Sequence, residues 1–236
     1  MFQSLRRMTP EPRTGWVVFG GCCLAFLAAA VNAGFLIDLG TSVSHLTGDV
    51  SKVAMQSLGG EGWEKSGALY LAVATVGFIF GAMVSGFFVH HPTLEISRPY
   101  GRTIAAIGGL LLVSHGTFTG IPWLSVFLAS CACGMQNALA THYRGMILRT
   151  THVTGLLTDL GTNLGMRLKG HYIAPWKLGV PVMLLGAFFL GALFGTLLHL
   201  WLPGRFLLVL GVIYIAGGIA WTIRKRWDRG ASGGPV

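Results

Sequence analysis

Two copies of one short polar motif interrupt an otherwise apolar chain, His45-Leu46-Thr47-Gly48 and His152-Val153-Thr154-Gly155. Threonine caps helix N-termini by accepting from a backbone N–H, and glycine lets the chain turn sharply beside it. A helix opened in this way points free N–H groups and its positive dipole end outward, which suits an anion or a polar solute. Thr47 or Asp49 would cap the first helix and Thr154 the second, with Asp159 a further acid near a membrane segment. His45 and Asp49 stand four apart, so a continuing helix would set them on one face, as in a proton relay or a metal pair. Leu156 occupies the matching place in the second copy, and one His with one carboxylate leaves a metal shell incomplete; no metal is expected. Asn32, Gln136 and Asn137 lie inside apolar runs, where amides either hydrogen-bond between helices or line the same cavity as the motifs. With Gly48 and Gly155, these residues are the candidate solute-binding set.

The elements that must position them are membrane helices. Apolar segments near 16–39, 66–89, 103–119, 121–141, 179–201 and 206–223 give six expected spans in an all-α fold. Gly120-Ile121-Pro122 separates the third span, interrupted by Ser114 and His115, from the fourth. After Gly48, Val50, Val53, Ala54, Ser57 and Leu58 recur at helical spacing, as do Leu157, Leu160, Leu164 and Leu168 after Gly155. Each motif therefore opens a short amphipathic helix, lying flat at the interface or dipping into the membrane as a half helix. Irregular backbone at membrane depth is tolerated only where it is buried in protein or lines a wet cavity.

Composition agrees. Of 236 residues, 53% are hydrophobic and only 11% charged, against about 25% charged in a soluble domain. The 35 glycines fit membrane helices. Cys22, Cys23, Cys131 and Cys133 fall in apolar stretches without zinc-ligand spacing and read as reduced packing thiols. The run from Trp16 is too long for a signal peptide's apolar core, so it reads as a retained first span.

The formal charge of +9 is a topology signal and does not imply nucleic acid. Three basic residues precede the first span (Arg6, Arg7, Arg13) and two lie in the loop near 90–102 (Arg98, Arg102). Five lie near 142–178 (Arg144, Arg149, Arg167, Lys169, Lys177) and four follow the last span (Arg224, Lys225, Arg226, Arg229). Six spans put all of these on one side and only Lys52, Lys65 and Arg205 on the other, so both termini are expected in the cytoplasm.

The two halves, about 15–119 and 121–224, echo each other inside a single domain, 1–236, with basic tails at 1–14 and 225–236. Asn32-Ala33 answers to Asn137-Ala138, and the two His-x-Thr-Gly motifs correspond. Gly77, Gly81 and Ser85 match Ala187, Gly191 and Gly195; Pro99-Tyr100-Gly101-Arg102 matches Pro203-Gly204-Arg205, which sets Gly108 on Gly211. Three spans per copy make the second copy enter the bilayer from the opposite face, an inverted 3+3 repeat. The motifs then start on opposite faces and, if they dip, meet near the middle.

The stretch Gly134-Met135-Gln136-Asn137-Ala138-Leu139, with Arg149-Thr150-Thr151-His152-Val153-Thr154-Gly155 and Thr158-Asp159-Leu160-Gly161, resembles the YoaK family of bacterial six-span membrane proteins, a domain of unknown function. The resemblance covers nearly the whole chain, is strongest over 134–170, and supports the membrane class and the six-span count without an assigned activity. Where the family commonly has Thr-Gly-Asn, this chain has Thr47-Gly48-Asp49.

These features favour a secondary transporter or facilitator of a small polar or anionic solute, without cofactor. The alternative is a membrane scaffold using the small-residue faces Gly77/Gly81/Ser85 and Ala187/Gly191/Gly195. No His-Glu-x-x-His, Gly-x-Ser-x-Gly or Walker-type loop is present, so no enzyme is expected, and an intramembrane enzyme built on its serines and histidines is the least favoured reading. A six-helix body offers few walls for a closed path, so a homodimer in the lipid bilayer is compatible with the sequence.

Overall fold

A computed structural model describes residues 14–58, 67–89, 100–139, 141–143, 146–148 and 150–231. The expectations placed on Arg6, Arg7, Arg13, Lys65, Arg98, Pro99, Arg144 and Arg149 lie outside the described residues.

Six long helices stand close to the six apolar runs: α1 (Thr14–Leu39), α3 (Ala68–Val89), α4 (Tyr100–Thr117), α5 (Pro122–Ala138), α7 (Trp176–Trp201) and α8 (Phe206–Ala231). Two shorter amphipathic helices, α2 (Leu46–Leu58) and α6 (Val153–Leu168), follow α1 and α5. Among the described residues, α1, α3, α7 and α8 are long and apolar enough to cross a bilayer. The protein is a multi-pass membrane protein. Helices α4 and α5 are shorter and less apolar because they face protein. In α5 the buried residues include Ser125, Ser130, Gly134 and Gln136, small or polar side chains that lipid would not favour.

The fold departs from the all-α expectation at one place. Apolar character runs to residue 141, yet α5 ends at Ala138, and Thr141–Tyr143 (β1) pairs antiparallel with Met146–Leu148 (β2). Three-residue strands are too short to show a period of two in the sequence. Helix α8 runs past the expected span end at 223, through Arg224, Lys225 and Arg226 to Ala231, into the expected basic tail. At this end the Arg224 guanidinium lies 3.8 Å from the ring centre of Trp16 on α1.

Glycine contacts fix how the helices run. A Cβ on Gly77 or Gly81 of α3 would meet the Phe127 or Cys131 carbonyl of α5, so these two helices are parallel. Gly191 and Gly195 of α7 sit in the same way on Phe26 and Ala30 of α1, also parallel. Helices α4 and α8 are antiparallel: Gly101 rests on Gly218, and Gly108 faces Gly211. Helix α2 packs on α3 and α6 on α7. Helices α4 and α5 form a hairpin closed by Ser114, whose hydroxyl lies 2.7 Å from the Ser125 hydroxyl and 2.9 Å from its carbonyl oxygen. Pro122 starts α5, where its fixed φ suits the first helical residue. A core of Phe35, Val43, Ile107, Leu111, Val126, Phe206, Leu210 and Tyr214 draws on α1, α4, α5, α8 and the loop before α2.

Candidate functional site: two buried loops before the short helices

Each motif follows a non-helical stretch that folds back on the preceding helix. Gly40 ends α1 with φ of 62°, a left-handed conformation that glycine adopts without strain. Thr41, Ser42, Val43 and Ser44 are then buried, and Asn32 gathers them. Its Oδ1 accepts from the Val43 N–H and the Ser42 hydroxyl, each at 3.0 Å, and from the Ser44 hydroxyl at 3.2 Å. Ser42 Oγ accepts from the N–H of His45 at 2.7 Å and from that of Ser44 at 3.4 Å. Hydroxyls and an amide thus satisfy backbone that neither helix nor water reaches.

The second loop is held by different chemistry. Thr150 and Thr151 are buried as Val43 and Ser44 are, but the amide that holds them is chiefly Gln136. Its Nε2 donates to Thr150 Oγ1 at 3.1 Å and to the Leu24 carbonyl of α1 at 2.9 Å. Its Oε1 accepts from the Tyr214 hydroxyl of α8. Asn137 adds one long contact, accepting from Thr150 Oγ1 at 3.5 Å. Gln136 and Tyr214 are 1% and 2% exposed, so this network is sealed from the surroundings.

The motif residues stand where the loops turn into helix. Thr47 and Thr154 are exposed, but neither is the cap expected: α2 starts at Leu46 and α6 at Val153, one residue before each threonine. His152 holds the N-cap position of α6 without a side-chain hydrogen bond. Before α2 the Ser42 hydroxyl already accepts from the His45 N–H, and before α6 the Thr150 side chain is held by Gln136, so each helix starts ahead of its threonine. Gly155 lies under the His152 imidazole, whose Nδ1 would be 2.3 Å from an added Cβ, whereas a Cβ on Gly48 would meet nothing within 4 Å. His45 is half-buried with its ring edge-on to Phe188 of α7, and its Nε2 is shielded without a hydrogen-bond partner. His152 and Asp159 are exposed. Asp49 belongs to α2, but its side chain lies outside the described residues.

Among the described residues α2 packs chiefly on α3 and α6 on α7, and the first motif also reaches α7 where the His45 ring meets Phe188. Asp38 and His199 meet at the C-terminal ends of α1 and α7, with Oδ1 and Nε2 3.4 Å apart. Among the described residues no three His, Cys, Asp or Glu side chains converge as a metal site would need. Sequence reasoning missed Tyr214, Ser42, Ser44, Thr150 and Thr151. The hydroxyl-rich stretches Thr41–Ser44 and Thr150–Thr151, each just before a motif, were the available signal; a lone tyrosine in an apolar span was a weaker one.

A model of the family described as Protein of unknown function (DUF1275) matches residues 20–220. The chain belongs to this family. It is the family to which the YoaK-like motifs pointed. The DUF1275 match takes in both loops, both motifs, Asn32, Gln136 and Tyr214, and leaves out the basic ends. No curated protein and no solved structure matches the chain.

Proposed function

We propose that this DUF1275 protein is a secondary transporter or facilitator of a small polar or anionic solute, built as six spans in an inverted 3+3 repeat. The observation that carries the reading is the pair of buried, hydroxyl-bearing stretches, Thr41–Ser44 and Thr150–Thr151, that lead into α2 and α6. Asn32 lies seven residues before the end of α1, about 10 Å by helical rise, so the loop it holds reaches well inside that end. Leu24 lies ten residues after the start of α1, about 15 Å in, which draws Gln136 and Thr150 towards the middle of the bilayer. In lipid, backbone of this kind persists only when buried or lining a solute path.

The helix pairings support the repeat. Interchanging the halves turns the α1–α7 contact into α5–α3, α2–α3 into α6–α7, and α4–α8 into itself. The parallel and antiparallel senses survive the exchange. In this reading the first turns of α2 and α6, with the exposed hydroxyls of Thr47 and Thr154, present N–H donors to the solute from opposite sides. The basic-residue distribution supports an inner-membrane protein with both termini in the cytoplasm. A scaffold would use the small-residue faces of α3 and α7, but Gly77, Gly81, Gly191 and Gly195 are occupied by α5 and α1. Among the described loop residues no nucleophile is assembled with a base, and the proposed reading is non-enzymatic.

The test is thermal stability of the purified protein in detergent against small anions, amino acids, nucleobases and sugars. A ligand of the native state raises the melting temperature by mass action. A hit lost in Thr47→Ala/Thr154→Ala is the expected result. Were the hit unaffected by that double variant, the solute would bind elsewhere; a folded protein with no hit at all would count against transport.

A further inference from the structure

The two loops occupy corresponding places, yet their locks differ in reach. The bonds that Asn32 makes stay within the first half, between α1 and the loop that follows it. Gln136 instead ties the second loop to the other half at Leu24 of α1 and to α8 at Tyr214. The offset that pairs Asn32 with Asn137 sets Val31 on Gln136, and the offset that pairs Gly108 with Gly211 sets Leu111 on Tyr214. Val31 and Leu111 are each 1% exposed in the same core, so the first half has an apolar pair where the second has an amide and a phenol. Packing therefore does not demand polar groups at this place, and the first half is sealed without them. Both Nε2 donors of Gln136 are used, one by the loop and one by α1, so the loop cannot leave without freeing a buried donor.

We propose that Gln136, braced by Tyr214 and bonded across the two halves to the Leu24 carbonyl, is a latch that holds the Thr150–Thr151 stretch before α6 closed, and that this stretch is the one that opens. The proposal rests on the reading of the two loops as parts of one solute path, and it adds which of them moves. Opening would carry Thr150 and Thr151 away from Gln136 while the Asn32-held loop keeps its bonds. Apolar packing such as that around Val31 and Leu111 has no direction and no single breaking point. A buried hydrogen bond has both, and a polar solute reaching Thr150 could replace it.

The experiment places single reporter cysteines, Thr151→Cys or Val43→Cys, in a background with Cys22, Cys23, Cys131 and Cys133 changed to alanine. Thr151 is 4% exposed and Val43 is 0%, so both should react slowly with a bulky water-soluble maleimide on the purified protein. Gln136→Met keeps the volume and removes the polar bonds; it should speed labelling at Thr151→Cys by about tenfold, roughly 1.4 kcal/mol of closing free energy. Tyr214→Phe removes one anchor and should give about threefold. Val43→Cys should be unchanged in both. Unchanged labelling at Thr151→Cys in the folded variants overturns the latch, as does an equal rise at Val43→Cys, which would mean general loosening. If Gln136→Met does not fold, Tyr214→Phe decides alone. Labelling needs no solute, so a latch response without any ligand hit would sink the transport reading only. A ligand hit lost in the threonine variants, with no latch response, would sink the latch only.

Discussion

Replacing Gly81 by alanine tests the packing that sets the whole arrangement. A Cβ at Gly81 would lie 1.9 Å from the Cys131 carbonyl oxygen, 2.6 Å from its carbon and 2.8 Å from its Cα. All three are backbone atoms, so no rotamer change relieves the clash. The closest approach falls about 1.5 Å short of ordinary van der Waals contact, and α3 and α5 must separate by a comparable distance. Separation would also loosen the Gly77–Phe127 contact one turn away. Overpacking of well-packed sites costs about 1–3 kcal/mol, and a backbone-on-backbone clash belongs at the upper end, about 3 kcal/mol. Gly86 on the same helix has nothing within 4 Å of an added Cβ. Gly86→Ala should therefore be neutral or gain up to ~1 kcal/mol from helix propensity. The same contrast is expected on α7, where Gly191 would meet the Phe26 carbonyl at 2.1 Å and Gly186 would meet nothing. Unfolding in mixed detergent and denaturing micelles, followed by circular dichroism, reads the differences. Equal stability of Gly81→Ala and Gly86→Ala, within ~0.5 kcal/mol, would refute the close parallel packing of α3 on α5.

Two further outcomes follow from the loops and from the charge pattern. Asn32→Ala should destabilise by about 2–3 kcal/mol, since it strands the buried Val43 N–H and two hydroxyls, while Asn137→Ala loses one 3.5 Å contact and should cost under about 1 kcal/mol; thermal melts of the two variants would contradict this if their order were reversed. Reporter fusions at both ends of the chain should give cytoplasmic signals, and a signal from opposite sides would rule out an even number of spans.

Much of the frame was legible because its causes are local. Twenty or so apolar residues in a row identify a span whatever its neighbours are, and α1, α3, α7 and α8 stand near their runs. The small residues at Gly81 and Gly191 were visible too, but not what they touch. Small-x-x-x-small spacing serves a partner protein and an internal neighbour equally well, and only the packed helices decide between them. The helix starts were misread at Thr47 and Thr154 for a related reason. A threonine beside a glycine looks like a cap, yet whether it must cap depends on who holds the chain upstream. Here Asn32 and Gln136, distant in sequence from the loops they grip, had already done so. The hairpin at 141–148 left no periodic trace at all.

The separation of roles between backbone and side chain bears on how such a molecule could work. In the proposed repeat, the contacts that the two halves would share are made by glycine against carbonyl, as at Gly81 on Cys131 and Gly191 on Phe26, and they leave little room for side-chain variation. Side chains around the loops are free to diverge, and they do: Val31 and Leu111 on one side, Gln136 and Tyr214 on the other. A path with identical locks at both ends would have no preferred closed side. One polar lock against one apolar seal gives the two ends different opening free energies, and a solute that competes for hydrogen bonds weakens only the polar one. Under the proposed transport reading, the common frame would supply the route and Gln136 its direction.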